Sequence, residues 1–518
     1  MPLETKIPVP RAAAAAPPVC FLYFLLRYHS PAYFAGGAVV LAAFHLALYR
    51  WDAWGGRIGR AGPAVLIGLG IALPALGAWQ FLHGLDLGDL DQTSYVTALW
   101  NFRHGNPHYA FQGLNMFGVH SQYTAFLWIP VQALGGALGL KLGKGACLIA
   151  AVWLMRRGLR GNPWGAWAGI ALLLAPPVAS QFFFGFHPEF IAAPVLVLAL
   201  WAYREERLGA FLACTAFLAY SKEVFTLAIG GILIVALMEK RPWKWLVLPG
   251  ALCCAQMFAY WYVVLPRFAP AGNYLGHYIP VTAGNILSSW LRPQSGFYLI
   301  HIFLPWLPLL ATLPKRYLAL PLPLMAFYTA FPDAMFLSMW PNYAFPLAFL
   351  CAGGLVLADS RSSGGRKGLD SLDGRILLAC AVGSLLCYPL WREVFSVPRG
   401  LPAIHRDIRI LQSAIPPEAP LLVNAPFTAR LAARREVSVW GWRKQPLGHF
   451  AYVVVDGRFA PPWLVDPADL RRGLDSLADT AVWAREYGRE SVTLYRRRAA
   501  PSGISAGADA RAPAGAGN

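Results

Sequence analysis

Leu85–Pro107 reads LDLGDLDQTSYVTALWNFRHGNP and sets Asp86, Asp89 and Asp91 within six residues, directly after the apolar run Ala61–Phe81. Apolar stretches then fill most of the chain to about Leu390. A cluster of carboxylates at the mouth of an apolar helix costs free energy unless it faces water or a partner. The rest of the chain therefore reads as a scaffold that holds this stretch against something borne by a membrane.

Composition supports that reading. Of 518 residues, 57% are hydrophobic and only 14% charged, and mean hydropathy is +0.45. A soluble domain carries about a quarter charged residues, so the expectation is a polytopic α-helical membrane protein. The net charge of +18, from 44 Lys and Arg against 26 Asp and Glu, would suit nucleic acid. Many of the basic residues sit in short connections between apolar runs, as the positive-inside bias predicts, so no nucleic-acid partner is expected. The eight cysteines all lie in apolar stretches without metal-site spacing and read as packing residues.

Alternation of apolar runs and basic connections orders the chain. Residues 1–18 are Ala/Pro-rich and read as disordered, and residues 19–60 hold one or two N-terminal spans and a basic connection. From 61 to 390 the spans alternate so that Arg156–Arg157, the YREERLG turn, MEKRPWKW, Lys315–Arg316 and the 359–375 segment all fall on one side, the cytoplasmic one. The outer loop 84–118 then faces away from the cytoplasm. Gly118–Leu134, interrupted by Pro130, reads as interfacial or re-entrant. In all, about 11–13 spans are expected. Residues 391–498 differ in kind, with more charge and alternating short strand and helix patterns, including Leu421–Asn424, Val437–Trp440, YVVVD at Tyr452–Asp456 and Ser491–Tyr495. This predicts a small extracytoplasmic α/β domain with a largely parallel sheet. Residues 499–518 form a Gly/Ala/Ser tail that reads as disordered.

The chemically capable residues fall on the outer side. They are Asp86, Asp89, Asp91, Gln92, Tyr95 and His120 in the first loop, His187 and Glu189 in FFFGFHPEF, and Lys222–Glu223 after Tyr220. A carboxylate there can take a proton from an attacking hydroxyl or amine, and cationic or hydrogen-bonding groups can hold a departing phosphate. The same Asp/Glu/His set could instead hold a divalent metal through oxygen ligands. Read without function, the aspartates are a solvated loop, the histidines are loop hydrogen-bonders, and Lys222–Glu223 is a local pair at a helix end.

Two resemblances bear on this choice. DLDQTSYVTALWNFRHGNP resembles the first outer loop of GT-C glycosyltransferases of the lipid A aminoarabinose and protein O-mannosyl transferase type. There, an Asp-Glu pair is followed three residues later by Tyr, then by an amphipathic helix and a Gly. Asp91, Gln92, Tyr95 and Gly105 occupy those places, with Gln92 standing where that family usually has Glu. FLAYSKEVFTLAIG resembles the same enzymes around a lysine, here Lys222. A closer resemblance is to a bacterial family of multi-pass membrane proteins of unknown function. Its pattern appears at Asp86–Gly88, Asp91–Gln92, Trp100–Asn101, His120, Phe186–Glu189 and Lys222–Glu223. It continues at Ile415–Pro416, Ala425, Arg435 and Tyr452–Asp456, so the match runs from about Ala61 to Arg458.

The resemblances imply a GT-C-like fold and a polyprenyl-phosphate-linked sugar donor, used at the outer face of the inner membrane to glycosylate an acceptor left open. Asp91 would be the base, with Asp86 and Asp89 in support. Gln92, Tyr95, His120, His187, Glu189, Lys222 and Glu223 would bind substrate and shape the donor phosphate site, and the C-terminal domain would bind or position the acceptor. The alternatives are a transporter or flippase of a lipid-linked or amphipathic substrate, or a non-catalytic membrane assembly protein.

Overall fold

The computed structural model of the protein describes residues 9–28, 31–82, 89–106, 115–159, 164–269, 288–330, 344–358, 373–387, 402–424, 428–442, 445–456, 467–489 and 492–498. The chain opens with helices α1 (Val9–Tyr28), α2 (Pro31–Tyr49) and α3 (Trp51–Leu82). Helix α1 includes the Ala/Pro-rich residues 9–18 that the sequence suggested were disordered. It packs along a later apolar helix, α15 (Gly374–Cys387), and that contact outweighs the two prolines within it. The expected span Ala61–Phe81 is the C-terminal part of α3, and Arg57 and Arg60 of the basic connection lie inside this same helix.

After α4 (Asp89–Arg103), the 3₁₀ turns Met116–Gly118 and Tyr123–Trp128 lead into α5 (Ile129–Gly158). Pro130 stands in the first turn of α5, where its missing N–H costs nothing. The next apolar run is broken into α6 (Gly165–Leu174) and α7 (Pro176–Phe183), bent by 60° at the Pro176–Pro177 pair. Then come α8 (Ala192–Arg204), α9 (Leu208–Ser221), α10 (Val224–Met238) and α11 (Lys244–Ala259), the last continued by a π turn and a short helix to Phe268. Helices α12 (Pro293–Phe303), α13 (Leu322–Ala330) and α14 (Phe345–Ala358) precede α15.

Among the described residues, Trp51–Leu82, Tyr123–Arg157 and Lys244–Phe268 are long and apolar enough to cross a membrane alone, and α6 with α7 makes a fourth if counted as one broken span. Further apolar helices run over 10–17 residues, among them α9, α10, α14 and α15. Several of these form the centre of the bundle: nearly every side chain of α6 and α14 is buried in one core with α8 and α15. A helix apolar on all sides belongs in such a position, and short or broken helices are tolerated where protein rather than lipid surrounds them. The buried stripe of helix α3 includes Gly59, Gly62 and Gly77 beside Leu66, Leu73 and Phe81, and its glycines allow close helix approach.

The C-terminal domain contains α16 (Pro402–Ala414), β1 (Leu421–Asn424), β2 (Val437–Val439), β3 (Tyr452–Asp456), α17 (Pro467–Leu477), β4 (Trp483–Arg489) and β5 (Val492–Arg497). The sheet order is β2-β1-β3-β5-β4. Leu421 pairs with Val437 and with Tyr452 in parallel, whereas β3–β5 and β4–β5 are antiparallel. The sheet is thus mixed, and β4 is a strand the sequence pattern hid. WAREYGR carries Arg485, Glu486 and Arg489 and lies at the sheet edge, where charge discourages pairing with another chain. The two faces of the sheet are covered separately. Leu421, Val423, Val454 and Leu494 share a core with Ile408 and Leu411 of α16. Leu422, Val453 and Val455 share another with Trp440 and Leu477 of α17. The first of these cores also takes in Val96 and Leu99 of α4, together with Trp128 and Phe186. The sheet domain and the helical bundle therefore meet at α4.

Candidate active site

Helix α4 presents three faces. Asp91 and Tyr95, four residues apart, lie on one. Gln92 and Arg103 lie on the second, against α5, where Gln92 Nε2 donates to the Ala137 carbonyl at 2.8 Å and Arg103 to Gln132 Oε1 at 3.3 Å. Thr97 and Asn101 lie on the third. With 3.6 residues per turn these sets cannot mix. Asp91 also sits in the first turn, where the helix dipole favours a negative charge.

The Asp91 side chain is 50% exposed, and its Oδ2 lies 3.3 Å from His187 Nε2. The other His187 nitrogen, Nδ1, is 3.5 Å from Glu189 Oε1, and Lys222 Nζ donates to that same oxygen at 2.6 Å. Glu189 and Lys222 are almost fully buried. The result is a row of alternating charge, Asp91–His187–Glu189–Lys222, running from solvent into the protein. Burial works against an imidazolium at His187, but Glu189 and the hydrogen bond to Asp91 outweigh it, and its pKa is raised above 6.5. Burial likewise pushes the Glu189 carboxyl up. The Lys222 ammonium and the His187 ring outweigh that, and it lies well below the ordinary carboxylate range.

A second set adjoins the first. Glu223 Oε1 is 2.6 Å from His120 Nδ1, and Glu223 Oε2 accepts from the Ser121 N–H at 3.2 Å and the Ser121 O–H at 3.3 Å. Burial raises the Glu223 pKa, but His120 overrides it and the net value falls from 4.5 to about 2. An ionised carboxylate only accepts, so the proton of this bond is on His120 Nδ1. The next residue, Gln122, donates through Nε2 to both Tyr95 Oη and Glu189 Oε2, each at 3.1 Å. His120–Ser121–Gln122 is thus a strap between the two carboxylates.

Local backbone explains how these residues meet. α9 ends at Ser221 and α10 starts at Val224; between them Lys222 is extended (φ −172°, ψ 146°), so Lys222 and Glu223 point to different partners. The FFFGFHPEF connection follows the end of α7. Its carbonyls at Phe183, Phe184 and Gly185 accept from two buried ammoniums of α5, Lys141 (3.3 and 3.2 Å) and Lys144 (2.7 and 2.8 Å). These are carbonyls at the negative end of a helix, where cations are favoured. Trp128 Nε1 donates to the Pro188 carbonyl at 2.9 Å and ties down the same turn.

The structure therefore brings Asp91, Tyr95, His187, Glu189 and Lys222 into one group, with His120 and Glu223 beside it. It turns Gln92 away, buried against α5. Asp86 and the side chain of Asp89 lie outside the described residues. Sequence reasoning missed Gln122, Ser121, Lys141 and Lys144. The two lysines carried a usable signal, as cations three residues apart in the apolar run LGLKLGKGA. Among the described residues no three His, Cys, Asp or Glu side chains are grouped to hold a metal ion. Lys222 lies on Glu189 and His120 on Glu223, so this donor set does not fit a divalent cation, and no step is assigned to one.

Comparison with solved structures finds the same fold. The chain is similar to ArnT from Cupriavidus metallidurans bound to undecaprenyl phosphate, with TM-score 0.51 and 15% identity over 88% of this chain and 100% of that one. It is also similar to ArnT from Cupriavidus metallidurans in the apo state, with TM-score 0.48 and 17% identity over 83% and 98%. The family model described as "Predicted membrane protein (DUF2079)" matches residues 82–487. No curated protein matches the chain. Both resemblances read from the sequence are thus borne out, as is the GT-C-like fold.

Proposed function

The chain belongs to that family of predicted membrane proteins, and on this premise we propose that it is a membrane glycosyltransferase of the GT-C type. It takes a sugar from a polyprenyl-phosphate carrier and passes it to an acceptor at the extracytoplasmic face of the inner membrane. The observation that carries this reading is the half-exposed Asp91 carboxylate backed by His187, Glu189 and Lys222. ArnT supports it by fold, and its complex with undecaprenyl phosphate supports the carrier.

In this mechanism Asp91 accepts the proton of the acceptor hydroxyl or amine as that atom attacks the anomeric carbon. The bond from the anomeric carbon to the phosphate oxygen breaks, and its electron pair leaves with the polyprenyl phosphate. His187, whose pKa is raised, offsets the negative charge of the departing phosphate when protonated, and Lys222 behind it balances the Glu189 carboxylate. Protonated Asp91 then returns its proton to water.

Sidedness has its own support. Arg204, Glu239, Arg241 and Arg316 gather at one end of the bundle, joined by Arg241–Glu239 at 3.5 Å and Arg316–Glu239 at 3.1 Å. Lys222 and Glu189 stand at the opposite ends of α9 and α8. A basic end reads as cytoplasmic, which supports an outer position for the site and for the sheet domain attached to α4.

The experiment is lipid mass spectrometry on cells lacking the protein, complemented with wild type or Asp91→Asn. Accumulation of one polyprenyl-phosphate sugar in the null and the mutant, cleared by wild type, is expected. Normal amounts of Asp91→Asn with wild-type lipids would remove Asp91 as the base.

A further inference from the structure

The third face of α4 leads beyond the site. Thr97 Oγ1 donates to the Ala432 carbonyl at 2.9 Å, and Asn101 Nδ2 to the Arg435 carbonyl at 2.9 Å. Arg430 reaches the other way, its guanidinium donating to the Leu82 carbonyl at 3.0 Å. Residues 430–435 all belong to the crossover between β1 and β2. This one connection therefore grips both flanks of the acidic stretch, the end of α3 before it and α4 after it. Thr97 is fully buried and Asn101 is 4% exposed, so the Thr97 bond is sheltered from competing water and the Asn101 bond partly so.

From these contacts we infer that the β1–β2 crossover is a positioning element for α4, with Thr97, Asn101 and Arg430 as positioning residues for Asp91. The inference rests on the transferase reading and gives the C-terminal domain a role distinct from acceptor binding. Asn101 lies ten residues from Asp91, about 15 Å along the helix. A tilt or slide at the gripped end is carried by the stiff helix to the carboxylate. A displacement of about 1 Å at a reacting group costs on the order of a hundredfold in rate. Gln92 and Arg103 still tie α4 to α5 when the grip is lost, so the helix is misaimed rather than unfolded.

The test uses the full chain in lipid nanodiscs and compares wild type, Thr97→Val with Asn101→Leu, and Thr97→Ser, which keeps the hydroxyl. Amide hydrogen exchange across residues 89–103 is expected to quicken by about tenfold or more in the double variant, with α5 unchanged. The kcat for transfer is expected to fall by about 10- to 100-fold while KM for the donor stays within about twofold, and Thr97→Ser should behave as wild type. Unchanged exchange in α4, or quickened exchange with wild-type kcat, overturns the inference. A wild-type protein that makes no product rejects the transferase reading instead, and the exchange contrast then decides by itself whether the crossover grips α4.

Discussion

Lys222 Nζ and Glu189 Oε1 are 2.6 Å apart, with side chains 1% and 2% exposed. Removing one member of such a pair leaves a buried charge uncompensated and costs about 3–5 kcal/mol. Lys222→Met is therefore expected to lower the unfolding temperature strongly in detergent, and Lys222→Met with Glu189→Gln to recover part of that loss. A double variant as unstable as the single one would contradict the pairing.

The two site carboxylate–histidine sets predict opposite pH limbs. The His187 pKa is raised in the folded protein, so its contribution is complete below the ordinary 6.5 and is lost as pH rises through the raised value. Glu223 falls from 4.5 to about 2, so its contribution is present above 4.5 and is lost as pH falls towards 2. Unfolding temperature measured against pH should show both limbs. His187→Asn should flatten the alkaline limb, and Glu223→Gln should shrink the acid limb, the remainder coming from Glu189.

Asp91→Asn separates function from folding. The side chain is half exposed and, among the described residues, it pairs with His187, so the unfolding temperature should hardly move, while transfer falls by about 10²- to 10⁴-fold as expected for loss of a general base. The His187 pKa should fall at the same time, because Asp91 is one of the groups that raise it. Histidine NMR on the variant reads that shift, and its absence would dissociate the two residues.

Much of this was legible in the sequence. Scarce charge made Asp91, His187, Glu189, Lys222 and Glu223 conspicuous, and the structure assembles them across helix ends far apart in the chain. The partners of Gln92 and Thr97 were not legible, because both are set by rotation about the α4 axis, which depends on what α5 and the sheet domain offer. The edge strand β4 was hidden for a different reason. An edge needs no apolar alternation on its outer side, and Arg485, Glu486 and Arg489 mask the period.

Gln92 tests the limits of the resemblance. Gln92→Glu introduces the residue usual in the GT-C enzymes that the stretch resembles, but places a carboxylate against the Ala137 carbonyl in a fully buried position. A loss of about 1–3 kcal/mol in stability is expected, with no gain in transfer. Higher transfer by Gln92→Glu would show that this position reaches substrate.

Gly77 marks a close approach of α3 to α7. A Cβ there would collide with the Phe182 carbonyl oxygen, which belongs to backbone and cannot swing aside. Gly77→Ala should cost about 1–3 kcal/mol as an overpacked contact, read as a lower unfolding temperature. An unchanged value would mean the two helices separate freely.

The extended residue between α9 and α10 makes the site sensitive to counting as well as to chemistry. Successive side chains on extended backbone point to opposite sides. Deleting one residue ahead of Lys222 would draw Glu223 into the place of Lys222 and Lys222 back to the end of α9. The Glu223 carboxylate would then meet the Glu189 carboxylate where an ammonium stood. Loss of one residue at this joint would therefore turn the buried attractive pair into a repulsive one with every charged side chain still present in the chain.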